Sequence, residues 1–410
     1  MNSLRIVFVD YTLEPDKPGR SGLSDIVWDM ATALIDLGHE AHIVACYHTQ
    51  TYPDTRVQVH NFAEPPIGYR NLIGQLWILK RAARIVASLS ADIVHAPEYV
   101  STAVLQSLGL TAPLVLTVPG NIYQRIEQGH DYEWFYVHFL KWAATRSAAS
   151  CDKVIATSQE MKTWWERTGS LPHNTPCIPI GIDPSRFYPV PDAKTRLGIS
   201  AETSTLLYAG RFAREKGLSD LIEAFQHLRP ALTQQHVKLY LIGKGKREAD
   251  LRQQIAASKL DQWIEVCGWV AQEELNIWFS AADAFLLPSW DEPFGRVMLE
   301  AMACGTPVIA SATAGPLDHI EHAYNGFLFE PHDVSQLTQI LQQVLAQPQE
   351  LAIMGQHSLN YVSTRFTWAA IMRQLVEQIY YPLIAHKQVA TVNAASGQLA
   401  RGFHARTPAA

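Results

Sequence analysis

AFLLPSWDEPFGRVMLEAMACGTPVIAS (284–311) reads as strand, loop, helix and strand in succession. A short apolar run stops near Pro288, a loop follows, RVMLEAMA has helical spacing, and PVIAS (307–311) is a second apolar run. The same alternation fills the chain on both sides. Strands are expected at RIVFVD (5–10), AHIVAC (41–46), DIVHA (92–96), LVLTV (114–118), KVIATS (153–158), TLLYAG (205–210) and KLYLIG (238–243). SDIVWDMATALIDLG (24–38) has helical period and ends on Gly38, a residue suited to closing a helix. Apolar strands alternating with helices imply parallel sheets covered on both faces, hence an α/β fold.

The alternation breaks once. IPIGIDPSRFYPVPD (178–192) carries four prolines between two strand-rich halves and reads as a linker. A chain of 410 residues also exceeds what one core usually serves. The expectation is therefore two Rossmann-like doubly wound domains facing a central cleft, at 1–184 and 185–365. FTWAAIMRQLVEQIYY (366–381) is a strongly amphipathic helix; the segment 366–385 is assigned to it and 386–410, small, polar and aperiodic, to a disordered tail.

A hydrophobic share of 48% and a charged share of 18% suit a chain with sizeable cores. The net charge of −6 has none of the strong basicity of a nucleic-acid binder. The five cysteines are scattered and form no CxxC pair, so a zinc or disulfide framework is not expected and reduced thiols in the cytoplasm fit. No signal peptide is read at the N-terminus, and no apolar run approaches the ~20 residues of a membrane span. A peripheral membrane contact stays open.

The loop at Glu292, Pro293, Phe294 and Gly295 leads into a helix, with Glu300 a little over two turns beyond Glu292. Amides at a helix start lack intrahelical partners, so the Phe294–Gly295 backbone can bind hydroxyl or phosphate oxygens, and Gly295 admits a ligand close to the chain. Ionised carboxylates only accept hydrogen bonds, which suits the paired donors of a sugar diol. YAGRFAREKG (208–217) repeats the strand–loop–helix pattern through Gly210, with Arg211 and Lys216 flanking the helix start. Cations there are mildly unfavourable unless an anion joins them, and a diphosphate would meet a guanidinium, an ammonium and helix amides together. Lys244, Lys246 and Arg247 add positive potential, but Gly243 and Gly245 lack the third glycine of a dinucleotide fingerprint. Gly22, ahead of a helix, is either a turn residue or a ligand approach. His95, at the carboxyl end of a strand, is either a ligand contact or a structural histidine. The aromatic stretch 131–149 is either a core helix or an acceptor or membrane surface.

E-P-F-G-x-x-x-x-E-A-M-A-x-G-x-P-V-I-A, preceded by G-R-x-x-x-E-K-G and followed by Gly315, Asp318, Ile320, Asn325, Gly326 and Leu328, resembles the retaining glycosyltransferases of family four, group 1. The likeness is densest over 205–330 and extends more loosely to about residue 381. It implies the GT-B fold, with the last helix crossing back to the N-terminal domain. It implies a hexosyltransferase using a nucleotide diphosphate sugar (UDP or GDP) and a glycan, lipid or small-molecule acceptor, with no metal and no cofactor. A nucleotide-sugar epimerase and a non-catalytic nucleotide-sugar-binding subunit are the alternatives. Carried over, Arg211 and Lys216 bind the diphosphate and, with Glu292, are the catalytic residues. Glu292, Pro293, Phe294 and Gly295 hold the sugar, and Glu300 the ribose. Gly210 belongs to the diphosphate loop, Gly268 to the base pocket and Gly22 to an N-terminal loop approaching the diphosphate. His95 and Asn121 fall on the acceptor side. Where the family has Gly-Gly this chain has Ser21–Gly22, and where it often has T-x-H-G this chain reads TVPG (117–120), with Pro119 in place of the histidine.

Overall fold

The computed structural model describes residues 3–10, 22–46, 54–62, 72–96, 105, 110–118, 146, 148–167 and 175–389. It divides into two compact units: residues up to Thr157 with 164–178 and everything from Ala369 on, and 158–163 with Pro179–Trp368. The break between Ile178 and Pro179 precedes the expected one after residue 184.

The first unit is built on a six-stranded parallel sheet of β1 (Arg5–Val9), β2 (Glu40–Ala45), β3 (Gln58–Asn61), β4 (Ile93–Ala96), β5 (Leu114–Val118) and β6 (Lys153–Ala156), in the order β3-β2-β1-β4-β5-β6. Helices α1 (Gly22–Asp36) and α2 (Leu72–Ser88) accompany it. Gly22 is thus the first residue of α1. Gly38 closes α1 at φ 86, donating to the Ile35 carbonyl while His39 donates to that of Leu34.

The second unit repeats the plan with β7 (Ser204–Ala209), β8 (Val237–Ile242), β9 (Ile264–Gly268), β10 (Ala284–Leu287), β11 (Val308–Ser311) and β12 (Gly326–Phe329), ordered β12-β11-β10-β7-β8-β9, again parallel. Its helices include α3 (Leu218–Leu232), α4 (Glu248–Ala257), α5 (Gln272–Ala281), α6 (Arg296–Ala303), α7 (Ala314–His319), α8 (Val334–Ala346) and α9 (Pro348–Arg365). Leu206, Leu239, Leu286 and Ile309 from the sheet meet Phe225, Leu228 and Leu341 from α3 and α8 in one buried core. Successive strands build outward on one side from β7 to β9, and the chain then returns to place β10 on the other side of β7. The carboxyl ends of β7 and β10 therefore flank the switch point, where open α/β sheets bind their ligands.

The linker 178–192 contains neither helix nor strand beyond the single bridge of Ile182 to Thr367. The last helix begins as α10 (Trp368–Leu375), passes through a π-helical turn at Val376–Tyr380 and runs on to residue 389. It thus enters the stretch assigned to the tail, so 386–389 are helical; 390–410 lie outside the described residues. Most of 131–149 lies outside them too. No helix among the described residues is long and apolar enough to cross a membrane.

Candidate active site

β7 and β10 are hydrogen-bonded neighbours, about 4.8 Å apart, so the loops leaving their carboxyl ends emerge side by side. The β7 loop runs from Gly210 through a 3₁₀ turn at Arg214–Lys216 to Gly217, which starts α3 in the left-handed conformation at φ 64. The β10 loop runs from Pro288 to Gly295, which starts α6 at φ 79. A Cβ on Gly217 would overlap the Pro288 carbonyl oxygen, so the two loops touch backbone to backbone. The Trp290 amide donates to the Glu215 carbonyl at 2.8 Å.

Across this seam the Lys216 ammonium donates to Glu292 Oε2 at 2.6 Å, and both side chains are mostly buried. Ser289 Oγ donates to the same oxygen at 3.3 Å. The two residues are 76 positions apart in sequence, and only the β7–β10 pairing brings them together. Arg211, in the same β7 loop as Lys216, has an exposed guanidinium paired to Glu215 at 3.1 Å. Tyr208, fully buried at the end of β7, donates to the Arg211 carbonyl at 2.8 Å and fixes the loop's course. Burial pushes the Tyr208 phenol well above its ordinary range, so it acts as a neutral donor.

Glu300 lies inside α6, buried, with its carboxylate 3.0 Å from the Arg296 guanidinium one turn back. Glu292 is outside the helix, in the loop, so the two carboxylates occupy different elements. Pro293, Phe294 and Gly295 are buried behind Glu292. Gly315 of α7 donates to the Glu292 carbonyl at 2.9 Å, and a Cβ there would overlap the Phe294 carbonyl. His319, at the far end of α7, packs edge-on to Phe294 with ring centroids 5.2 Å apart; burial lowers its pKa to about 4 and keeps it neutral. Toward the other edge of the sheet, Gly268 at φ 78 faces open space, and next to it the half-exposed Trp269 lies 5.6 Å from Lys244 Nζ.

Of the two readings open for His95, its surroundings fit the structural one. His95 is completely buried in β4, with Nδ1 2.6 Å from the Tyr380 hydroxyl of the last helix and Nε2 2.7 Å from Thr117 Oγ1. Desolvation lowers its pKa to about 3. Both ring nitrogens are engaged within the first unit, so His95 is a core histidine that anchors the returning helix and not an acceptor contact. Asn121, Pro119 and Ser21 lie outside the described residues. Trp290, Asp220 and Ser289, which shape the seam, were not singled out from sequence. Their partners are set by strand adjacency, and no local spacing announces them.

Two such parallel sheets with flanking helices define the GT-B fold. The structure matches sucrose-phosphate synthase (tll1590) of Thermosynechococcus elongatus with a TM-score of 0.80 and 24% identity, covering 93% of this chain and 100% of that one. It matches Alr3699/HepE of Anabaena, solved in complex with UDP and glucose, at 0.75 and 24%, over 92% and 99%. In sequence, the family model "Glycosyl transferases group 1" matches residues 190–360, and "Glycosyltransferase Family 4" matches 20–186. The chain belongs to the group 1 glycosyltransferases. Among curated relatives it is 28% identical to the D-inositol 3-phosphate glycosyltransferase of Pseudarthrobacter chlorophenolicus over 366 residues, 83% of this chain and 86% of that protein.

Proposed function

We propose that the protein transfers a hexose from a nucleoside diphosphate sugar, with UDP or GDP as the carrier, to a glycan, lipid or small-molecule acceptor, with retention of anomeric configuration. The observation that carries this reading is the Lys216–Glu292 pair, a cation and a carboxylate in contact at the β7–β10 switch point. As the glycosidic bond breaks, its electrons pass to the diphosphate, whose oxygens gain negative charge. Arg211, Lys216 and the first amides of α6 supply fixed positive charge there, in place before the reaction. Glu292 accepts hydrogen bonds from the sugar hydroxyls and Glu300 from the ribose, while Gly268 borders the base. The acceptor oxygen attacks the anomeric carbon from the face the diphosphate leaves, and its proton goes to a departing phosphate oxygen. Lys216 and Arg211 then offset the diphosphate's negative charge, the task a divalent ion would otherwise perform. Turnover should then survive EDTA unchanged, and a large loss restored by Mg²⁺ or Mn²⁺ would overturn that element.

The relatives narrow the donors worth trying first. HepE was solved with UDP and glucose, and two relatives are named for phosphorylated acceptors or products. A titration of UDP, GDP, ADP and their sugars, followed by turnover with pooled acceptors, tests the reading. Free nucleotide should appear only when acceptor is present, whereas an epimerase would interconvert the donor with no acceptor at all.

A further inference from the structure

We infer that the Trp290–Asp220 hydrogen bond is a strut that holds Glu292 against Lys216, making Trp290 a positioning residue for the reaction. This inference rests on the proposed role of the Lys216–Glu292 pair. Trp290 is two residues from Glu292 on the β10 loop, and its backbone and side chain both reach across the seam. Its amide donates to the carbonyl of Glu215, the neighbour of Lys216, and its indole Nε1 donates to Asp220 Oδ2 in the first turn of α3 at 2.7 Å. Both members of the ion pair are thus tied to one residue, Lys216 through the Glu215 carbonyl and Glu292 through two steps of chain, while the indole fixes that residue to α3.

The acceptor is well suited to the task. Asp220 is largely buried, and its carboxylate lies at the positive end of α3, where a negative charge is favoured. Ser219 Oγ lies 3.2 Å from Oδ1, and the exposed His332 approaches Oδ2 at 3.7 Å, its ring tilted on the indole at 4.4 Å. A hydrogen bond to an ionised carboxylate is about twice as strong as a neutral one.

Packing alone does not fix the indole. Trp290 is only half-buried, and it borders a cavity of about 200 Å³ shared with Ala213, Arg214, Leu218 and Ser219. On the side of this partly open pocket the ring meets few packed neighbours, so its polar tether helps to hold its rotamer. Remove the tether and the ring can turn into the cavity, and the β10 loop can draw Glu292 away from the ammonium.

Trace acylation of the full-length, ligand-free protein with acetic anhydride, read peptide by peptide by mass spectrometry, reports how far Lys216 is shielded. Lys194, held by Asp283 at 2.9 Å in the same unit, is the internal reference. Trp290→Phe keeps a ring and loses the donor; it should raise the Lys216 rate at least threefold, toward that of Glu292→Gln, with Lys194 unchanged. Asp220→Ala should do the same and add nothing to Trp290→Phe in the double variant. Asp220→Asn, which keeps an oxygen acceptor, should stay near wild type. Wild-type rates at Lys216 in Trp290→Phe and Asp220→Ala would overturn the inference. So would a parallel rise at Lys194, which means general loosening, or no rise in Glu292→Gln, which means no pair to hold. None of these results touches nucleotide binding and release, on which the proposed reaction stands or falls.

Discussion

Lys216 and Glu300 should separate catalysis from donor affinity. Lys216→Ala removes one preorganised cation from the leaving group, and loss of one such donor typically lowers turnover by about 10²–10³-fold. Steady-state kinetics on the donor found by titration would show kcat falling by that order with KM little changed. Glu300→Ala should instead weaken nucleotide binding by roughly 10–100-fold, the range for a charged hydrogen bond, measured by calorimetry. Because Glu300 also neutralises the mostly buried Arg296, thermal unfolding of Glu300→Ala is measured alongside, to separate lost affinity from lost stability. Wild-type behaviour in both Lys216→Ala and Glu300→Ala would contradict the site. These residue types and spacings were legible in the sequence, but their partners were not. Lys216 meets Glu292 because β7 and β10 are neighbours, and Glu300 meets Arg296 through a helical turn that the two-carboxylate reading passed over. His95 shows the opposite limit: the residue type and strand end suggested a ligand contact, and the returning helix buried it.

At the scale of elements, two glycines with the same backbone sign make different demands. Gly38 closes α1 at φ 86 with open space where a Cβ would go, while Gly217 starts α3 at φ 64 with the Pro288 carbonyl in that place. Gly38→Ala should cost only the left-handed strain of about 1–2 kcal/mol. Gly217→Ala should cost more and lower turnover as well, since the β7 and β10 loops must part to admit the methyl. Denaturant unfolding and kcat on the two variants check this; equal stability losses, or an active Gly217→Ala, would contradict the close approach of the loops. The elements that sequence reading missed, β3 (QVHN), β9 (IEVCG) and β12 (GFLF), are edge strands. An edge strand is flanked on one side only, so β3 and β9 need no continuous apolar run and carry polar residues instead. β12 is apolar but only four residues long, and it begins on the glycine of an Asn-Gly pair that reads as a turn.

For the molecule as a whole, buried neutral histidines set how stability depends on pH. His319 and His95 have pKa values lowered by burial from 6.5 to about 4 and about 3. Between those values and 6.5 the unfolded chain binds protons that the folded chain refuses, so acid favours unfolding. Their contribution is intact above about pH 6.5 and is lost progressively as the pH falls, by about 2 kcal/mol each between neutral pH and pH 5. Calorimetric unfolding at pH 7.5 and 5 should show this fall, and His319→Leu should reduce it by one histidine's share. An unchanged pH dependence in that variant would mean that His319 titrates normally. The overall plan was read correctly from alternating apolar runs and a proline-rich break. From Ala369 on the last helix belongs to the first unit, with Tyr380 against His95, and the bond from Ile178 to the Ala156 carbonyl keeps the start of the linker there too.

The central claim is that the β7–β10 switch point receives a pyrophosphate. Crystals soaked separately with UDP, GDP and ADP test it most directly. The account predicts that at least one nucleotide binds with phosphate oxygens in hydrogen-bond contact with Lys216 or Arg211 and a ribose hydroxyl on Glu300. A nucleotide seated elsewhere, with this seam empty, would contradict it.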